Sequence, residues 1–141
     1  MRTAAIIPSF NESAHVCDVV RRAGGFVDRV FLVDDGSRDQ TAALLTEEAC
    51  VLLRHDTNLG KSAALRTGME AACAAGSDVL VFLDADGQHP PERIPELLQP
   101  IRDGRADMVV GVRSFSAAMP RVRRWSHVVR ARPAGRLFSA D

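Results

Sequence analysis

A doubly wound, mostly parallel α/β sheet with helices on both faces is the fold this sequence predicts. Two observations lead there. Five short apolar runs are separated by four longer helical patterns along 141 residues, the order that builds parallel sheets with right-handed crossovers. The clearest of these runs, Val79-Leu80-Val81-Phe82-Leu83, is unbroken rather than alternating, as in strands covered on both faces. At 15.3 kDa and 46% apolar residues, the chain favours one domain with a real core.

Taken in order, Thr3-Ala4-Ala5-Ile6-Ile7 reads as the first strand, stopped by Pro8. Ser9-Phe10-Asn11-Glu12-Ser13 supplies turn chemistry before an apolar-periodic helix from Ala14 to Ala23, which Gly24-Gly25 ends. Arg29-Val30-Phe31-Leu32-Val33 is the second strand. It runs into Asp34-Asp35-Gly36-Ser37-Arg38-Asp39-Gln40-Thr41, where Ser37 or Asp39 caps a helix over roughly Gln40 to Glu48. Cys50-Val51-Leu52-Leu53 is a short third strand, followed by a loop from His55 to Gly60. Lys61 to Ala75 is the longest helical pattern, with Gly76 as its stop. The Val79 run is the fourth strand, Pro91 to Arg102 a helix, and Asp107 to Gly111 a fifth strand. Beyond Ser114 the pattern weakens, and Arg121 to Arg132 reads as a basic amphipathic helix carrying Val122, Trp125, Val128 and Val129 on one side. The expected division is a core over 1–114 and a basic segment over 115–141.

Charge is unevenly placed. Residues 1–110 hold eleven Lys or Arg against seventeen Asp or Glu, whereas 111–140 hold seven Arg and no acid. Such a basic tail suits phosphates, anionic lipid surfaces or nucleic acid, and as an ordinary solvated face it is about as well explained. Cys17, Cys50 and Cys73 show no metal-ligand spacing, and an odd count without a signal peptide points to a reducing cytoplasm. No apolar run approaches the ~18–20 residues of a membrane span, which leaves room for peripheral attachment only.

Four polar segments adjoin apolar strands on the same rim: Pro8 to Glu12, Asp34 to Thr41, Asn58 to Lys61, and Asp84 to His89. Loops converging at strand carboxyl ends form the ligand crevice of open α/β sheets. Asp84 and Asp86 repel each other, and a divalent cation beside them is the cheapest way to keep both ionised. Such a cation at a sheet edge grips a diphosphate well.

Ile7-Pro8-Ser9-Phe10-Asn11-Glu12, Val33-Asp34-Asp35-Gly36-Ser37 with Asp39 and Thr41, Asn58-Leu59-Gly60-Lys61 with Ala64 and Gly68, Asp84-Ala85-Asp86-Gly87-Gln88 and Gly111-Val112-Arg113 together resemble the ordered motifs of family 2 glycosyltransferases. The resemblance is closest to the polyprenyl-phosphate (dolichyl-phosphate) mannose and glucose synthases and covers about residues 3–126. It implies a GT-A fold and inverting transfer from a GDP- or UDP-linked sugar donor to an acceptor, a polyprenyl phosphate or another glycan acceptor. By the same resemblance Pro8, Phe10, Asn11, Glu12, Asp34, Asp35, Gly36, Ser37, Lys61, Asp84 and Ala85 serve the nucleotide. Asp84, Asp86 and Gln88 hold Mg²⁺ or Mn²⁺. Arg113 stands with Asp84 and Asp86 in the reaction centre, and Arg113 and Arg124 meet the acceptor phosphate. A cytoplasmic protein peripheral at the inner face of the membrane follows, with no nucleic-acid partner. The family's domain continues well beyond this chain's end, so the sequence reads as a donor half. The apolar surface a missing half would leave predicts a homodimer. A non-catalytic nucleotide-sugar-binding fragment is therefore one alternative.

Other families fit less well. Phe82 to Gly87 also resembles the Asp-x-Asp-Gly strand end of haloacid-dehalogenase phosphatases. That motif belongs near the chain start, Gln88 replaces its Thr or Ser, and Lys61, the only lysine, precedes it. A receiver-like signalling domain would need its acidic pair after the first strand and a late lysine. In an EF-hand, Pro95 would stand where the bidentate Glu belongs. Gly60-Lys61-Ser62 lacks the first glycine of a phosphate loop, with His55 in its place.

Overall fold

The computed structural model describes residues 1–41, 50–111 and 126–130. Strands β1 (Thr3–Ser9), β2 (Arg29–Asp34), β3 (Val51–Arg54), β4 (Val79–Phe82), β5 (Met108–Gly111) and β6 (Ser126–Arg130) form one sheet in the order β3-β2-β1-β4-β6-β5. The first four are mutually parallel. Helices α1 (Val16–Gly24), α2 (Lys61–Ala74) and α3 (Ile94–Arg102) cross between strands, α3 entered through a 3₁₀ turn at Pro91–Arg93.

Alternation along β1 sorts the core into two layers. Ala5 and Ile7 pack on one face with Val16, Val19 and Val20 of α1 and Ile94, Leu98 and Ile101 of α3. Ala4 and Ile6 face the other way, with Phe31, Leu80 and Ala72 of α2. Helices thus cover both faces of the sheet. Gly68 lets α2 approach closely: a Cβ there would stand 2.5 Å from Ile6 Cγ2 and 3.2 Å from Val33 Cγ2. The three cysteines form no disulfide and are half-buried, and Cys17 and Cys73 pack against the two core layers.

Two expectations meet a different outcome or none. The basic amphipathic helix expected over Arg121 to Arg132 is corrected at its centre, where Ser126–Arg130 is an extended strand. It pairs antiparallel with both β4 and β5, Leu80 opposite Val129 and Val109 opposite Val128. The β-branched pair Val128-Val129 suits a pleated strand, and the open edges of β4 and β5 supply a full ladder of backbone partners that an isolated surface helix would lack. The helix expected from Gln40 to Glu48 lies, apart from its first residues, outside the described residues, as do Arg113 and Arg124. No described helix is long and apolar enough to cross a membrane.

Candidate functional site

The first two rim loops are clasped together. Past the end of β1, Asn11 takes φ 54°, a left-handed conformation that asparagine tolerates well. Its N–H donates to Ser37 Oγ (2.9 Å), and its Oδ1 accepts from the Arg38 N–H (3.0 Å). The Ser13 N–H donates to Asp39 Oδ2 (3.2 Å). Asp39 also accepts from the Thr41 hydroxyl and from the Thr41 N–H at 2.9 Å, which together with Ser13 hold its carboxyl down to about 2. Gly36, at φ 74°, lies so close to the third loop that a Cβ would meet Thr57 C at 2.6 Å and Asn58 N at 2.8 Å.

The two acids after β2 face different partners. Asp34 is fully buried. Its Oδ1 accepts from the Ser37 N–H (3.0 Å), while Oδ2 lies 3.3 Å from Arg54 Nε without hydrogen-bond alignment. Asp35 is the post on which the third loop hangs. Its carboxylate accepts from the Leu59 N–H (2.9 Å), the Gly60 N–H (2.8 Å) and the His55 ring at Nδ1 (2.7 Å). Burial works to raise its pKa, yet the Leu59, His55 and Gly60 donors outweigh burial and hold it below the usual carboxylate range. His55 Nε2 in turn lies 3.0 Å from Thr67 Oγ1, tying the loop to α2.

Between these loops and the end of β4 opens a cleft of about 350 Å³, lined by Pro8, Ser9, Phe10, Glu12, Asp35, Asn58, Gly60, Lys61, Ala64, Asp84, Ala85 and Asp86. Phe10 and Leu59 are exposed large side chains of its bordering loops. The Ser9 hydroxyl in its wall is buried with no partner among the described residues, and such orphaned groups are rare in folded proteins. Asp84 is ion-paired with Lys61 through Oδ1. Its N–H donates to His89 Nδ1 at 3.2 Å, so His89 serves the turn after β4. Asp86 Oδ1 accepts from the Gln88 N–H (2.9 Å) and tightens the same turn.

Of the residues singled out from sequence, Pro8, Phe10, Glu12, Asp35, Lys61, Asp84, Ala85 and Asp86 come together on the cleft wall. Asn11, Asp34, Gly36 and Ser37 stand behind it, joining one loop to the next. Gln88 closes the turn beyond Asp86 without lining the cleft. Sequence reasoning missed His55 as a structural partner of Asp35. No local pattern marks this contact: it follows from the parallel register, in which Asp34 pairs with Arg54 and the residues that follow each become neighbours.

Two carboxylates with a backbone turn between them fit a hard divalent cation. Mg²⁺ in particular is commonly bound by one or two carboxylates, completed by water and substrate phosphate. That a cation already sits on Asp84, the Lys61 ammonium, shows that the position attracts positive charge. Among the described residues no group of three or more His, Cys, Asp and Glu is placed to hold a metal.

Comparison with known proteins gives the lineage. The polyprenol monophosphomannose synthase of Mycolicibacterium smegmatis is 33% identical over 141 residues, covering 94% of this chain and 53% of that protein. The UDP-N-acetylglucosamine–dolichyl-phosphate N-acetylglucosaminyltransferase of Methanococcus voltae is 32% identical over 126 residues, 77% of this chain and 50% of that one. The chain thus spans about half the length of these curated relatives. Among solved structures, glucosyl-3-phosphoglycerate synthase from Mycobacterium tuberculosis superposes with a TM-score of 0.70 at 20% identity, over 92% of this chain and 56% of that one. This likeness establishes a GT-A fold. The family model described as Glycosyl transferase family 2 matches residues 4–139, and the chain belongs to that family.

Proposed function

We propose that the cleft binds a nucleoside-diphosphate sugar and that the sugar is passed, with inversion, to a polyprenyl phosphate at a membrane surface. The observation that carries this reading is that Lys61, Asp84 and Asp86 line the same cleft as Pro8, Phe10 and Glu12. That arrangement offers an apolar and aromatic bed for a base, a carboxylate for a ribose and cationic help for phosphates. Ser9, with its unpartnered hydroxyl, adds a hydrogen-bonding group that a ligand would satisfy. Asn11, Asp34, Gly36 and Ser37 give the nucleoside wall its shape, and Asp35 holds the Asn58-Leu59-Gly60 turn against it.

Asp84 and Asp86, with Gln88 beside them, would hold Mg²⁺ or Mn²⁺. Such a cation offsets the negative charge that develops on a departing nucleoside diphosphate. Glucosyl-3-phosphoglycerate synthase, which shares this fold, has been solved with Mn²⁺ and UDP-glucose, and the named relatives act on dolichyl phosphate or make a polyprenol monophosphomannose. A lipid phosphate is already an anionic nucleophile, so it needs orientation rather than a general base. Arg113 and Arg124 are proposed for that orientation.

Calorimetric titration with GDP and UDP, each with and without Mn²⁺, tests the reading. We expect Mn²⁺-dependent binding of one nucleotide, lost in Asp86→Ala while circular dichroism stays unchanged. Absence of binding by the folded chain, or unchanged affinity in Asp86→Ala, refutes it.

A further inference from the structure

The ion pair between Lys61 and Asp84 joins the first turn of α2 to the loop after β4, 23 residues apart in sequence. It is not locked in place, since the Lys61 side chain is 61% exposed and that of Asp84 31%. Lys61 has no second ion-pair partner among the described residues. Asp84 Oδ2 faces His89 Nδ1 at 3.7 Å, the nitrogen that accepts the Asp84 N–H. The Lys61 ammonium, on Oδ1, is the lysine or arginine cation paired with this carboxylate.

Resting on the donor-site reading above, we propose that this ion pair makes divalent-cation binding and diphosphate binding cooperative. A cation and the Lys61 ammonium compete for Asp84, because two positive charges at one carboxylate repel strongly at such short range. A metal binding alone must therefore break the pair and leave the ammonium in solvent. When a nucleoside diphosphate is present, its phosphates take up the released ammonium, and the metal no longer bears that cost. Each ligand then raises the affinity of the other by the same factor, as linkage requires.

The test is a binding cycle on the full chain, in wild type and Lys61→Met, with Mn²⁺ alone (free Mn²⁺ followed by electron paramagnetic resonance), nucleotide alone, and both together. Lys61→Met should bind Mn²⁺ alone about three- to tenfold more tightly than wild type, the range expected on releasing a partly exposed ion pair and removing a nearby like charge. In the same variant nucleotide affinity at saturating Mn²⁺ should fall, and the gain in Mn²⁺ affinity that nucleotide gives should shrink. Lys61→Gln serves as a second variant with the same expectation. Unchanged or weaker binding of Mn²⁺ alone in both variants overturns the proposal while leaving the donor site standing. If neither wild type nor variants bind Mn²⁺ with or without nucleotide, the donor-site reading falls and the proposal falls with it.

Discussion

Asp39 shows how much a single exposed carboxylate can do when its neighbours are fixed. Its pKa lies at about 2 because the Thr41 hydroxyl, the Thr41 N–H and Ser13 favour the ionised form. Glu92 lies at about 2 for a similar reason, its bidentate contact with Arg22. A carboxylate depressed in the folded state stabilises above its unfolded pKa near ~4, and that contribution disappears as pH falls through the folded value. We expect urea-denaturation stability to drop between pH about 4.5 and 2, and the gap between wild type and Asp39→Asn to close over the same window. A gap that persists unchanged at pH 2 would contradict this. At this scale the acids after β4 were legible, because an unbroken apolar strand that ends abruptly in two carboxylates has few explanations. The work of Asp35 was not. Its partners Leu59, Gly60 and His55 are separated from it by 20 to 25 residues, and only the pairing of β2 with β3 brings them near.

At the level of elements, α2 is held to the sheet by what Gly68 lacks. Ile6 and Val33 occupy the space a methyl group would need, and both are buried β-branched residues with little rotamer freedom. Gly68→Ala should therefore cost about 1–2 kcal/mol by denaturant unfolding, the overpacking penalty exceeding the helix-propensity gain of up to ~1 kcal/mol. A more stable variant would show that α2 can shift without loss. The sequence revealed α2 and the first five strands within a residue or two at most ends, since each pairs a strong period with Gly or Pro punctuation. It misled at Ser126–Arg130. The apolar residues there fit a helical face as well as a strand, and the deciding factor was the open edges of β4 and β5, which no local pattern records.

At the scale of the sheet, the described strands end at β3 on one side and β5 on the other, and each of these strands carries an exposed apolar residue, Val51 and Met108. Exposed strand edges template pairing with other chains, so we expect sedimentation velocity to show concentration-dependent dimers, reduced in Val51→Lys or Met108→Lys. A monomer at all concentrations would remove self-association from the picture. The placement of β6 has a consequence for how the molecule comes into being. A ribosome releases the chain from its first residue onward, so β1 to β4 can assemble as a parallel half while β5 has already emerged yet has no neighbour to join. Only when Ser126–Arg130 follows does the bridge between β4 and β5 exist. The bridging strand is thus made after both strands it joins, and a nascent chain spends that interval with two of its edges waiting.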